Sequence, residues 1–245
     1  MQRLAVIDLG TNTFHLLIAE QHTGGYDILH RDRLAVKVGA GGINQGLITA
    51  EGAQRAIAAF RQFSAELKLW KVNRVKAIAT SAFRNARNGT AIAEQIRQET
   101  GIGIDIISGE KEADYIARGV LHAITVDAHP ALIVDIGGGS VEMIMANQKT
   151  NFWKRSFEVG GQRLVELFQH HDPILKSEKD ALFRYLDEKL ADLVPALDEF
   201  RPMVMVGSSG TFDTLSEMHC HREHRPYDGT QRETPLSLEG FYHFH

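Results

Sequence analysis

Short apolar runs alternate with amphipathic stretches along the whole chain. Leu4 to Asp8 reads as a strand, Leu9-Gly10-Thr11-Asn12-Thr13 as a polar turn, and Phe14 to Ala19 as a returning strand, which together predict a β-hairpin. A strand is expected from Leu34 to Val38, ending in the glycine cluster Gly39, Gly41, Gly42 and Gly46. Thr49 then caps an expected helix whose Ala53, Ile57, Phe60 and Leu67 recur near helical spacing. Val75 to Ala79 reads as a buried strand leading into Thr80-Ser81-Ala82-Phe83-Arg84. A helix over Thr90 to Glu99, a strand over Ile104 to Ile107 and a helix from Ser108 through Leu121 follow. Strands and helices in alternation predict an α/β protein.

Between His122 and Pro130 the period is lost, and the domain boundary is drawn there, giving domains 1–124 and 125–245. The second half opens like the first. Ala131 to Asp135 reads as a strand, Ile136-Gly137-Gly138-Gly139-Ser140 as a turn, and Val141 to Ala146 as the returning strand. The two turns stand at an offset of 127 residues (Asp8 to Asp135), a typical domain length. Two related domains facing each other across a cleft are the natural expectation. A long amphipathic helix from Ser177, with Leu182, Leu186, Leu190, Leu193 and Leu197 inward, precedes a strand over Met203 to Val206. Gly207-Ser208-Ser209-Gly210-Thr211 then opens a helix from Phe212.

Composition narrows the function classes. The chain of 245 residues is 43% hydrophobic and 24% charged, ordinary values for a globular protein. A formal charge of -4 argues against a general nucleic-acid binder, so a polyanion would have to meet a local basic patch. Candidates are Arg31, Arg33 and Lys37, then Arg84 and Arg87, then Arg222, Arg225 and Arg232, each of which also reads as an ordinary solvated charge. No apolar run approaches the roughly 20 residues that span a bilayer. The single cysteine, Cys220, cannot form an intramolecular disulfide, and the first twenty residues lack the features of a signal peptide, so a cytoplasmic protein is expected.

Asp-x-Gly at the end of an apolar strand carries chemistry. The glycines let backbone N–H groups approach an anion, Thr or Ser hydroxyls add donors, and the aspartate can ligate a cation. Dinucleotide-binding and P-loop turns open a helix, whereas strands continue after Thr13 and Ser140, so neither motif fits. One such hairpin alone reads as a structural turn. Two copies a domain apart, with Gly207-Ser208-Ser209-Gly210-Thr211 offering donors at a helix N-terminus, point to phosphate. His219, Cys220, His221 and His224 lack the spacing of a zinc site and read as surface or phosphate-contacting residues.

These segments resemble the exopolyphosphatase and guanosine pentaphosphate phosphohydrolase family, within the superfamily of acetate and sugar kinases, heat-shock ATPases and actin. Ala5 to His15 looks like the family's first phosphate loop, and Asp135 to Glu142 like its second. Thr80-Ser81-Ala82-Phe83-Arg84, Ile107-Ser108-Gly109-Glu110-Lys111-Glu112-Ala113 and Gly207 to Thr211 match further motifs in order. The resemblance implies two actin-like, ribonuclease H-like domains. It implies release of terminal phosphate from polyphosphate, or of the γ-phosphate from guanosine pentaphosphate, with Mg²⁺ or Mn²⁺. Glu112 matches the catalytic glutamate, with Asp135 and Glu142 as further catalytic acids and Asp8, Asp135 and Glu142 as metal ligands. Gly10, Thr11, Asn12, Thr13, Arg84, Gly137, Gly138, Gly139, Ser140, Gly207, Ser208, Ser209, Gly210 and Thr211 would hold phosphate. A homodimer is a further expectation. Rival readings are a nucleotide-dependent kinase and a sensor that binds without hydrolysis.

Residue patterns agree for Glu112, which shares a helical stripe with Ile116 and Val120, so that desolvation would raise its pKa toward that of a general base. The alternative is a glutamate favoured in a first helical turn by the helix dipole. For Glu142 the alternative is an outward-facing strand residue. The ending Glu239 to His245 reads as a helix cut short, which with the absence of the longer members' extra domains suggests an incomplete second domain of the short form.

Overall fold

A computed structural model describes residues 2–244. The strands are β1 (Gln2–Leu9), β2 (Phe14–His22), β3 (Gly25–Leu34), β4 (Arg74–Ala79), β5 (Ile104–Ile106), β6 (Ala131–Ile136), β7 (Val141–Ala146), β8 (Asn151–Phe157) and β9 (Val204–Ser208). The helices are α1 (Ala50–Leu69), α2 (Ser81–Asn85), α3 (Gly89–Thr100), α4 (Gly109–Ala123), α5 (Gly161–Phe168), α6 (Lys176–Lys189), α7 (Leu193–Phe200), α8 (Gly210–Arg222) and α9 (Leu238–His243), with a 3₁₀ turn at Ile43–Gln45. Thr49 and Ser108 cap α1 and α4 through their hydroxyls, accepting from Gly52 N at 3.1 Å and Lys111 N at 3.2 Å.

The strands form two sheets, ordered β3-β2-β1-β4-β5 and β8-β7-β6-β9. Each begins with an antiparallel meander of three strands whose first strand pairs in parallel with a later one, β1 with β4 and β6 with β9. The repeat expected from the two glycine turns is thus a repeat of topology within a two-sheet α/β architecture. Odd positions of β1 (Ala5, Ile7, Leu9) and even positions of β2 (Phe14, Leu16, Ile18) build the first core with Phe60, Phe63 and Ile96. The second sheet is packed on both faces. Ile133 and Ile144 meet Ala113 and Ala117 of α4, while Val134, Val141 and Phe157 meet side chains of α5, α6 and α7.

Three expectations change. The strand placed at Leu34 to Val38 is instead β3, ending at Leu34, and the segment after it is a loop. The long helix from Ser177 breaks into α6 and α7, because Pro195 removes an N–H and crowds the carbonyl four residues earlier. Gly207 and Ser208 belong to β9, not to the turn after it. The apolar face of α4 packs on the second sheet. Of the expected terminal helix, Leu238–His243 is helical and His245 lies outside the described residues.

Candidate active site

Both glycine turns close with the same hydrogen bond, from Gly10 N to Thr13 O at 3.1 Å and from Gly137 N to Ser140 O at 3.0 Å. Each is held from behind. Asn12 O accepts from Lys37 N at 2.8 Å and Thr11 O from Gly39 N at 3.1 Å. In the second turn, the carbonyls of Gly137, Gly138 and Gly139 accept from the amides of Gly161, Gln162 and Gly160 at 2.9, 2.8 and 3.3 Å. In a planar trans peptide the N–H points opposite to the C=O, so the amides of Gly138, Gly139 and Ser140 point away from α5. Among the described residues none of the three donates to a backbone carbonyl. They are free donors for an anion.

The turns also touch. A side chain at Gly138 would crowd Asn12, and one at Gly139 would overlap Thr11 and Ser81. Close approach, not flexibility, is the reason for glycine here. Around this contact opens a cleft of about 880 Å³. Gly10, Thr11, Asn12, Thr13, Gly137, Gly138, Gly139, Ser140, Ser209, Gly210 and Thr211 line it, with Asp8, Glu112, Asp135 and Glu142. Three expected phosphate ligands do not. Gly207 lies beneath the Phe212 ring, so its glycine serves packing; Ser208 sits opposite Asp135 across the sheet and hydrogen-bonds its carboxylate; Arg84 stands behind the wall. Ser209 adopts φ 69° and ψ 177°, a strained conformation for a residue with a side chain, and its hydroxyl donates to Ile136 O at 3.0 Å.

Four carboxyl groups converge. Asp135 and Glu142 are directly opposed in the β6–β7 register, as Asp8 and His15 are in β1–β2. Glu142, only 1% exposed, is no outward-facing strand residue. Burial pushes Asp8 up to about 6, helped by the charge of Asp135. Burial likewise raises Glu112 to about 7, against the hydrogen bond and charge of Arg84 and with help from Asp8 and Asp135. Glu142 reaches about 8 through burial and the nearby Glu112, opposed by hydrogen bonds from Ser156 (2.6 Å) and Ser140. Asp135 is raised by burial, against a hydrogen bond from Ser208. His15 is lowered by burial and by Arg33. Carboxylates crowded out of water hold protons unless a cation joins them.

That donor set, hard oxygens only, fits a divalent cation of the magnesium type. Asn12 Oδ1, buried with no hydrogen-bond partner, adds a neutral oxygen to the residues that line the cleft. Among the described residues no group of three or more His, Cys, Asp or Glu side chains is arranged to enclose a metal alone.

Behind the cleft runs a chain of ion pairs that motif reading missed. Arg84 Nη1 donates to Glu112 Oε2 at 2.8 Å and to Ile107 O at 3.3 Å, and Arg84 Nη2 to Glu158 Oε1 at 3.0 Å. The other Glu158 oxygen accepts from Ser81 Oγ at 2.6 Å and Arg163 Nη2 at 3.0 Å. Arg163 also donates to Gly139 O at 2.7 Å and Ile43 O at 3.0 Å. The signal available in sequence was Glu158-Val159-Gly160-Gly161-Gln162-Arg163, another glycine turn between a strand and a helix. At the far end, His219 and Cys220 are buried on α8, contrary to the expected surface position, while His221 and His224 are exposed. Gly240 packs on the His219 ring, which puts it inside the α8–α9 contact.

Comparison with known proteins gives this geometry a lineage. No helix of the described residues is long and apolar enough to cross a membrane. Exopolyphosphatase 1 of Mycobacterium tuberculosis and that of Mycobacterium bovis are each 29% identical over 218 residues, covering 88% of this chain; the chain spans 63% of their length. The crystal structure of an exopolyphosphatase from Cytophaga hutchinsonii superposes with a TM-score of 0.95 at 40% identity, over 99% of this chain and 78% of that one. A Ppx/GppA family member from Aquifex aeolicus matches with a TM-score of 0.74 at 25% identity, over 99% and 77%. The sequence profile of the Ppx/GppA phosphatase family matches residues 17–238, and the chain belongs to that family.

Proposed function

We propose that the cleft hydrolyses the terminal phosphoanhydride bond of inorganic polyphosphate, with Mg²⁺ or Mn²⁺ as cofactor. The observation that carries this reading is Glu112: a carboxyl raised to about 7 and facing a cleft that it shares with both glycine turns and the unpaired amides of Gly138, Gly139 and Ser140. The end of the phosphate chain lies between the turns, where the amides of Gly138, Gly139 and Ser140 and the hydroxyls of Thr11 and Thr13 donate to non-bridging oxygens. Glu112 accepts a proton from water as its oxygen bonds to the terminal phosphorus. The bridging P–O bond breaks, and the shortened chain leaves with its electrons. A divalent cation held by Asp135 and Glu142, its shell completed by water and substrate phosphate, would neutralise charge gathering on the phosphate oxygens. Asp135 and Glu142, opposed across one hairpin, can serve one ion together.

The names of the mycobacterial and Cytophaga relatives support polyphosphate as substrate. The test is phosphate release with Mg²⁺, comparing short and long polyphosphate, guanosine pentaphosphate and ATP. Faster release from polyphosphate is expected. Preference for guanosine pentaphosphate would move the substrate assignment to the nucleotide, ATP consumption only with an acceptor present would indicate a kinase, and binding without release would indicate a sensor.

A further inference from the structure

Glu158 belongs to no phosphate turn and does not line the cleft, yet it joins two arginines. It follows β8 and faces α2 of the other sheet, accepting from Ser81 and Arg84 there and from Arg163 of its own α5. Arg163 is 9% exposed and fixed by two backbone carbonyls, one in the second glycine turn and one in the 3₁₀ turn of the first half. It is an immobile cation. A long, flexible arginine such as Arg84 has many rotamers, and only contacts at both ends of its guanidinium select one. Glu112 and Ile107 O take one end, and Glu158 takes the other.

We infer that Glu158 is a positioning residue which, gripped by Arg163 and Ser81, fixes the guanidinium of Arg84 and through it aims the carboxylate of Glu112 at the cleft. Its charge is balanced by Arg163, which leaves the charge of Arg84 to Glu112. The pair-by-pair route runs from Gly139 through Arg163, Glu158 and Arg84 to Glu112, so the turn that holds phosphate and the base share one frame. Consistent with this, Glu158 is held below the usual carboxylate range: burial would raise it, but hydrogen bonds from Ser81 and Asn85 and the charge of Arg84 outweigh burial. The inference rests on the hydrolase reading for its kinetic consequence and on geometry alone for its structural one.

The test is E158Q, which keeps shape and one acceptor but loses the charge. Glu158 is 40% exposed at its side chain and Gln keeps its shape and an acceptor for Arg163, and thermal melting checks that the fold is retained. In crystals of E158Q, Arg84 is expected to leave Glu112. With polyphosphate, kcat is expected to fall roughly 10- to 100-fold, the scale of a small misplacement of a catalytic group, with KM within about twofold. A purely structural glutamate would change neither the Arg84 position nor the ratio of kcat to KM effects. Arg84 still bonded to Glu112, or kcat within about twofold of the parent protein, would overturn the inference. A parent protein inactive on every substrate would instead overturn the hydrolase reading, and the Arg84 position in E158Q crystals would still decide the positioning claim.

Discussion

At the scale of single residues the cleft is a contest between burial and charge. Glu112 is raised by desolvation and by two neighbouring acids, and the guanidinium of Arg84 pulls it back. A general base must be ionised, so turnover is expected to rise with pH through about 7. Replacing Arg84 with Gln removes the one influence that lowers Glu112, and the rising limb of the pH–rate profile should move to higher pH. A limb at its original place in R84Q would show that Arg84 does not act on the base. The inward position of Glu112 was legible from its stripe with Ile116 and Val120. Glu158 and Arg163 were not, because their partners lie 74 and 120 residues away and no local period reports a bond of that span.

At the scale of elements, apolar runs and capping residues located α1, α3, α4 and both glycine hairpins. The third strand of each meander escaped notice. β3 and β8 are edge strands; β3 is mostly exposed, and in β8 the polar Lys154, Arg155 and Ser156 stand together between Trp153 and Phe157, so the alternation that marks a half-buried strand is lost. Pro195 marked the break between α6 and α7, but the leucine spacing runs straight across it. Gly207 shows how a motif glycine can serve packing. A methyl group there would overlap the Phe212 ring, so Gly207→Ala should destabilise the protein by about 1–3 kcal/mol, measured by chemical denaturation. An unchanged denaturation midpoint would mean that β9 and α8 part easily at this point.

At the scale of the molecule, a duplicated sheet brings the two glycine turns into contact, with Arg163 and the bond from Gly41 N to Glu166 at 2.8 Å tying the halves together. The duplication was readable in the 127-residue offset, and the contact of the turns was not, since it depends on how two sheets meet. Crowding acids there has a thermodynamic consequence. Asp8, Glu112 and Glu142 have folded-state values of about 6, 7 and 8 against ordinary values of 3.8 and 4.5, so the folded protein binds more protons between roughly pH 4 and 8. Their contribution to stability therefore falls as pH rises across that window and is flat above it. Without divalent ions the melting temperature should carry this loss toward pH 8, and Mg²⁺ or Mn²⁺ should restore it most at the alkaline end. A cation effect equal at pH 5 and pH 8 would contradict binding at these acids.

The central claim is that Glu112 activates water in this cleft. Phosphate release from polyphosphate with Mg²⁺ by the parent protein and by Glu112→Gln, both checked for equal thermal stability, tests it most directly. The expected result is a loss of roughly 10²- to 10⁴-fold in kcat with polyphosphate still bound. Release by the Gln variant at the parent rate would contradict it.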